Sequence, residues 1–142
     1  MPPSENPKQQ LLAGVAILDP VLQSHGFRFM LEDHAKGSGG WFACGSYANG
    51  DRCLELHFRQ SLGLVTYHIG QDSLDHETYM RFLGVYGKND YPDFPGSPEE
   101  SFHHLAADIR NYCADFISGN GQQFLSFAAT LRREPTMFKG IS

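Results

Sequence analysis

Cys44, Cys53, Glu55, His57 and His68 place two thiols, a carboxylate and two imidazoles close together in the chain. Two chemistries use such groups. Cys44, Cys53, His57 and His68 are all residue types that ligate zinc. Cys44, Glu55, His68 and His57 could instead supply a thiol nucleophile, a base for it and an acid that orients the base. Strand alternation alone also puts polar side chains in a row on the solvent face of a sheet. That plainer reading is preferred, so no catalytic residue, metal or cofactor is assigned, and the reading leans against an enzyme. The three cysteines are an odd number without a CxxC pair, which argues against a disulfide framework and against a zinc ribbon. No HExxH, GxSxG or Walker motif occurs, and the glycine-rich run at 37–40 lacks the Lys-Ser or Lys-Thr of a phosphate loop.

The elements that would position these residues read as a meander. Phe27, Phe29 and Leu31 alternate with Arg28, Met30 and Glu32, a strand pattern. Residues 41–69 hold three further strands. Asn49-Gly50 is a strong hairpin signal, because a tight turn needs positive φ at its centre. With those two as the loop, Cys44 faces Glu55 and Tyr47 faces Arg52. The second turn admits more than one register. A Ser61-Leu62 loop keeps one face apolar, setting Phe58 against Val65, Leu56 against Tyr67 and Glu55 against His68. Cys44, Glu55 and His68 then form one row, with Cys53 and His57 on the same face.

Helices flank the meander. Leu11, Val15, Leu18 and Leu22 recur at helical spacing, with a kink or restart expected at Asp19-Pro20 and a stop at Gly26. Asp72 or Ser73 should cap a short helix ending near Gly84, with His76 as a surface residue of its first turn. Ser97-Pro98-Glu99-Glu100 is a helix start with cap, N1 proline and capping-box glutamate. The helix it opens should run through Phe116 to the Gly119-Asn120-Gly121 stop, and a last helix should cover residues 122–133. The fold class is α+β: an N-terminal helix, a four-stranded antiparallel meander, then two or three C-terminal helices on the apolar sheet face. One domain over residues 1–142 is expected, with 1–6 and 136–142 as flexible tails.

Charge is uneven. The net charge is −5, but residues 71–118 alone hold nine acids against three bases. A nucleic-acid surface wants the opposite sign. An acidic face suits a basic protein partner, and the aromatic, acidic loop between Gly84 and Ser97 could present it. The candidate contact residues are Tyr86, Asp90, Tyr91, Asp93, Phe94, Glu99 and Glu100, although such aromatics also serve as staples that pack a loop onto a core. The longest apolar run is too short to span a bilayer, and the first residues lack a signal peptide's pattern. A cytoplasmic location and no membrane partner are expected.

Leu18-Asp19-Pro20, His25-Gly26-Phe27 and Leu54-Glu55-Leu56-His57-Phe58-Arg59, set in this order of elements, resemble small bacterial α+β domains. Some domains of this plan are similar to immunity proteins, which neutralise a toxin by covering it. The resemblance implies a bacterial binding protein without catalytic residues. The leading expectation is therefore a protein-interaction module. A metal-binding or thiol-dependent enzyme is the alternative, and a small-molecule binder with its ligand between sheet and helices is the third.

Overall fold

The computed structural model describes residues 7–37, 40–59, 61–91 and 98–136. The expected tails thus lie outside the described residues, save Thr136. Helix α1 spans Pro7–Leu22 and is followed by a short 3-10 turn, Gln23–His25. Leu11, Val15, Leu18 and Leu22 are its buried stripe. The helix does not restart at Pro20. Proline takes a hydrogen-bond donor from the Ala16 carbonyl, but both residues are on the exposed side, where water can replace it. Gly26 closes the turn at φ 93°, and Phe27 N–H donates to the Leu22 carbonyl at 3.2 Å.

Five strands follow: β1 (Arg28–Gly37), β2 (Gly40–Asn49), β3 (Arg52–Arg59), β4 (Ser61–Ile69) and β5 (Asp72–Asp75). They form one antiparallel sheet in chain order. The fifth strand replaces the expected helix cap at Asp72 or Ser73. Leu74 pairs with Tyr67 and is buried, which extends the apolar face by one strand. Asp75 becomes the cap instead, its Oδ1 accepting from Thr78 N–H at 2.8 Å to start α2 (His76–Leu83).

The paired residues keep their expected faces, but partners shift by two positions in the first hairpin and in the second as far as Leu56. Asn49 pairs with Arg52, so Gly50 and Asp51 form the first loop, and Tyr47 faces Leu54 rather than Arg52. Asn49 is held in the strand because its amide donates to the His25 carbonyl at 3.0 Å. Arg52 thereby loses Tyr47 as its partner and sits at the end of the helix-covered face. It donates to the Phe116 carbonyl at 2.6 Å and the Asp115 carbonyl at 3.2 Å instead. In the second hairpin Leu56 faces Val65 and Leu54 faces Tyr67, and past an irregularity between Leu56 and Phe58 the expected partner Val65 is replaced by Leu62 opposite Phe58.

The C-terminal half supplies α3 (Pro98–Tyr112), α4 (Ala114–Ile117) and α5 (Gln122–Arg133). The expected continuous helix through Phe116 breaks at Cys113, and Arg52 satisfies carbonyls of the last turn, α4. The cap expected at Ser97 lies outside the described residues. Helices from both ends of the chain pack on the apolar face of the sheet. Tyr47 reaches α1 through its hydroxyl, Phe58 stacks on Phe102 of α3 at 5.9 Å, and Tyr67 meets Phe116 edge-on at 5.0 Å. One core cluster runs from Leu11 to Phe124, and each large side chain buried in it contributes roughly 2 kcal/mol of hydrophobic stabilisation.

Candidate functional site

The opposite face of the sheet carries the residues that could do chemistry. Arg28, Ala48, Cys53, His68 and Ser73 form one cross-strand row. Met30, Ser46, Glu55, Thr66 and Asp75 form the next. Met30 is 68% exposed, and Glu55, Ala48 and Ser73 are exposed with it, so this face is open at several points.

The expected row of Cys44, Glu55 and His68 divides into two pairs, as the shifted registers require. Cys44 lies opposite His57, and its Sγ is 3.2 Å from Nδ1. Glu55 lies between Ser46 and Thr66, and its Oε1 reaches diagonally to His68 Nε2 at 3.0 Å. Cys53 sits between Ala48 and His68. Burial raises its thiol pKa, the hydrogen bond with Ser46 lowers it, and the charges of Glu32 and Glu55 raise it further. Among the described residues, no three His, Cys, Asp or Glu side chains group as metal ligands.

A second polar cluster lies inside the core, and it includes His76, whose sequence pattern is that of a surface residue. His76 and Asp108 are 3% and 1% exposed. His76 Nε2 is 2.9 Å from Asp108 Oδ2, and His76 Nδ1 is 2.7 Å from the Tyr67 hydroxyl. With the Asp108 carboxylate accepting, Nε2 carries the hydrogen and Nδ1 accepts from Tyr67. Cys113 Sγ in turn donates to the Tyr67 oxygen at 3.7 Å. Each group in this chain has a partner. Burial pushes the Tyr67 hydroxyl well above its ordinary range and the Cys113 thiol up to about 12. Cys113 is thus a protonated core residue. Asp108 was detectable as a charged residue within the apolar stripe of Phe102, Leu105 and Ile109; nothing in the sequence pairs it with His76.

Asp108 also holds the loop that precedes its own helix. Its Oδ1 accepts from Asp90 N–H at 2.6 Å and its Oδ2 from Tyr91 N–H at 2.8 Å. Tyr91 is buried, and its hydroxyl donates to the Leu62 carbonyl at 2.8 Å. It is therefore an anchor and not an exposed contact residue. Tyr86 is 45% exposed, with the Arg81 guanidinium 3.9 Å from its ring centre. Asp90, Glu99 and Glu100 are exposed, while Asp93 and Phe94 lie outside the described residues.

Other acids of the 71–118 segment have structural tasks. Asp72 pairs with Arg132, Glu77 with Arg81 at 3.4 Å, and Asp75 caps α2. Asp115 Oδ2 accepts from Phe124 N–H at 2.9 Å. Much of the local charge excess is thus helix capping and pairing.

Clefts among the described residues include two beside the residues discussed above. One, of about 250 Å³, is bordered by Leu64, Asp75, His76 and Tyr91. The other, of about 570 Å³, lies between α1 and β1 and is bordered by Asp19, Arg28 and Phe29. None of the described helices is long and apolar enough to cross a membrane. Comparison with protein families, with curated proteins and with solved structures gives no match for the chain.

Proposed function

We propose that the chain is a protein-interaction module, immunity-like in kind, that binds a basic partner through the loop of residues 85–91 and the acidic start of α3. The observation that carries this reading is the clamp on the loop. A buried carboxylate, Asp108, holds two consecutive loop N–H groups, while Asp90 and Tyr86 stay exposed above it. A loop ordered in advance loses little conformational freedom on association, so more of the contact energy appears as affinity. Exposed Glu99 and Glu100 supply the acidic charge at the start of α3. Complementary charge of this kind raises the association rate and excludes acidic competitors.

The test is calorimetry with a basic protein encoded beside this chain's gene. The combined variant Asp90→Lys, Asp93→Lys, Glu99→Lys and Glu100→Lys should lower affinity by about a hundredfold or more, and added salt should weaken wild-type binding. Affinity indifferent to the four reversals would defeat the reading.

A further inference from the structure

The open sheet face holds a thiol and an imidazole in direct contact, and the interaction reading makes no use of them. We propose that Cys44 is a thiol–disulfide exchange site, which takes up a small-molecule disulfide as a mixed disulfide with His57 as its base. The pair is built by the register. Cys44 on β2 and His57 on β3 are directly opposite, both half-buried, and Sγ to Nδ1 is 3.2 Å. At that distance the imidazole can take the thiol proton and remain beside the thiolate as a counter-charge. This is the arrangement that raises the thiolate fraction near neutral pH.

The step balances without any other reactant. Cys44 S–H transfers its proton to His57 Nδ1, and the thiolate attacks one sulfur of the small disulfide. A new S–S bond forms at Cys44 as the old one breaks, and the departing thiolate takes the proton back from the imidazolium. Cys44 is oxidised, one half of the small disulfide is reduced to a free thiol, and His57 returns to its starting state.

The two other cysteines provide controls within the same chain. Cys53 is also half-buried, on the same face, but its hydrogen-bond partner is Ser46, which cannot serve as a base. Cys113 is fully buried beneath the helices, with its S–H directed at Tyr67. Burial therefore separates Cys113 from the others. Cys44, opposite Asp33 on its other side, has an imidazole nitrogen in direct contact, whereas His68 opposite Cys53 is bonded to Glu55.

The experiment incubates the full chain with oxidised glutathione and quantifies the mixed disulfide at each cysteine by peptide mass spectrometry. Near neutral pH, Cys44 should react about tenfold faster than Cys53, with Cys113 unmodified in the folded protein. His57→Gln should slow Cys44 about tenfold near neutral pH and little above about pH 9.5, where the thiol ionises unaided. The wild-type rate at Cys44 should also level off at lower pH than the rate at Cys53, a readout that needs no variant. Equal rates at Cys44 and Cys53, parallel pH profiles, or a His57→Gln protein that reacts like wild type at neutral pH would each overturn the assignment. Binding to a basic partner is measured separately and can fail without affecting this result.

Discussion

His76 and Asp108 meet at 2.9 Å in the core, joining the start of α2 to the middle of α3. The same carboxylate accepts from the Asp90 and Tyr91 backbone, so one side chain joins two helices and a loop. Removing an acceptor from such a cluster leaves buried donors without partners, and that penalty exceeds the net value of the bonds themselves.

Asp108→Asn should therefore destabilise the protein by about 2–4 kcal/mol, since the amide keeps one acceptor and turns the other into a donor facing N–H groups. Urea unfolding measures the loss. Hydrogen exchange should rise first in residues 85–91. Uniform acceleration throughout the chain would mean that the clamp is not local.

Stability should fall at alkaline pH. The Cys113 thiol has an ordinary value near 9 and is held up to about 12 in the fold, chiefly by burial. Below pH 9 both the folded and unfolded forms are protonated, and the contribution is constant. Between 9 and 12 the unfolded chain releases the proton while the folded one keeps it, so stability drops by about 1.4 kcal/mol per pH unit for this group. Tyr91, raised by burial from 10 to about 12, adds to the slope above pH 10. Melting temperature across this range, compared with Cys113→Ala, checks the assignment: the variant's curve should be flatter between 9 and 10.

Gly14→Ala should weaken the protein even though alanine favours helix by about 1 kcal/mol. A Cβ at Gly14 would overlap the Phe102 ring, which is buried and stacked on Phe58. The expected net loss is about 1–3 kcal/mol, measurable by chemical denaturation. A stabilised variant would mean that the α1–α3 contact can open without cost.

Arg52→Met keeps an apolar stem but loses both bonds to α4 carbonyls. A cost of about 1–3 kcal/mol is expected, with Arg52→Lys recovering part of it. Thermal melts of the three proteins would give the order, and an unaffected methionine variant would show that water caps α4 equally well.

Residue faces in the sheet were legible from alternation, because the first hairpin, and the second as far as Leu56, shifted by two positions. Leu54, Leu56 and Tyr67 are inside as expected, and Cys44, Glu55 and His68 outside. Partners were not legible, since they depend on contacts remote in sequence. Asn49 reaches back to His25, and Arg52 reaches forward to α4. That offset decides the candidate chemistry: it sets Cys44 against His57 instead of Glu55. His76 was misplaced for a similar reason. A histidine between two acids in a first turn has a surface pattern, and only the fold brings Asp108 and Tyr67 to its ring nitrogens.

The chain-order sheet has a consequence for how the protein is made. Each strand pairs with the one just synthesised, so the meander can assemble as it emerges, with short loops to close. Its greasy side must then wait. Only α1 is already available, while the partners of Phe58 and Tyr67, Phe102 and Phe116, come later. During that interval a nascent chain displays an uncovered apolar sheet, the state most exposed to aggregation and most in need of a chaperone. A ribosome-stalled fragment ending before Phe102 should accordingly be sticky, and release through α5 should cure it.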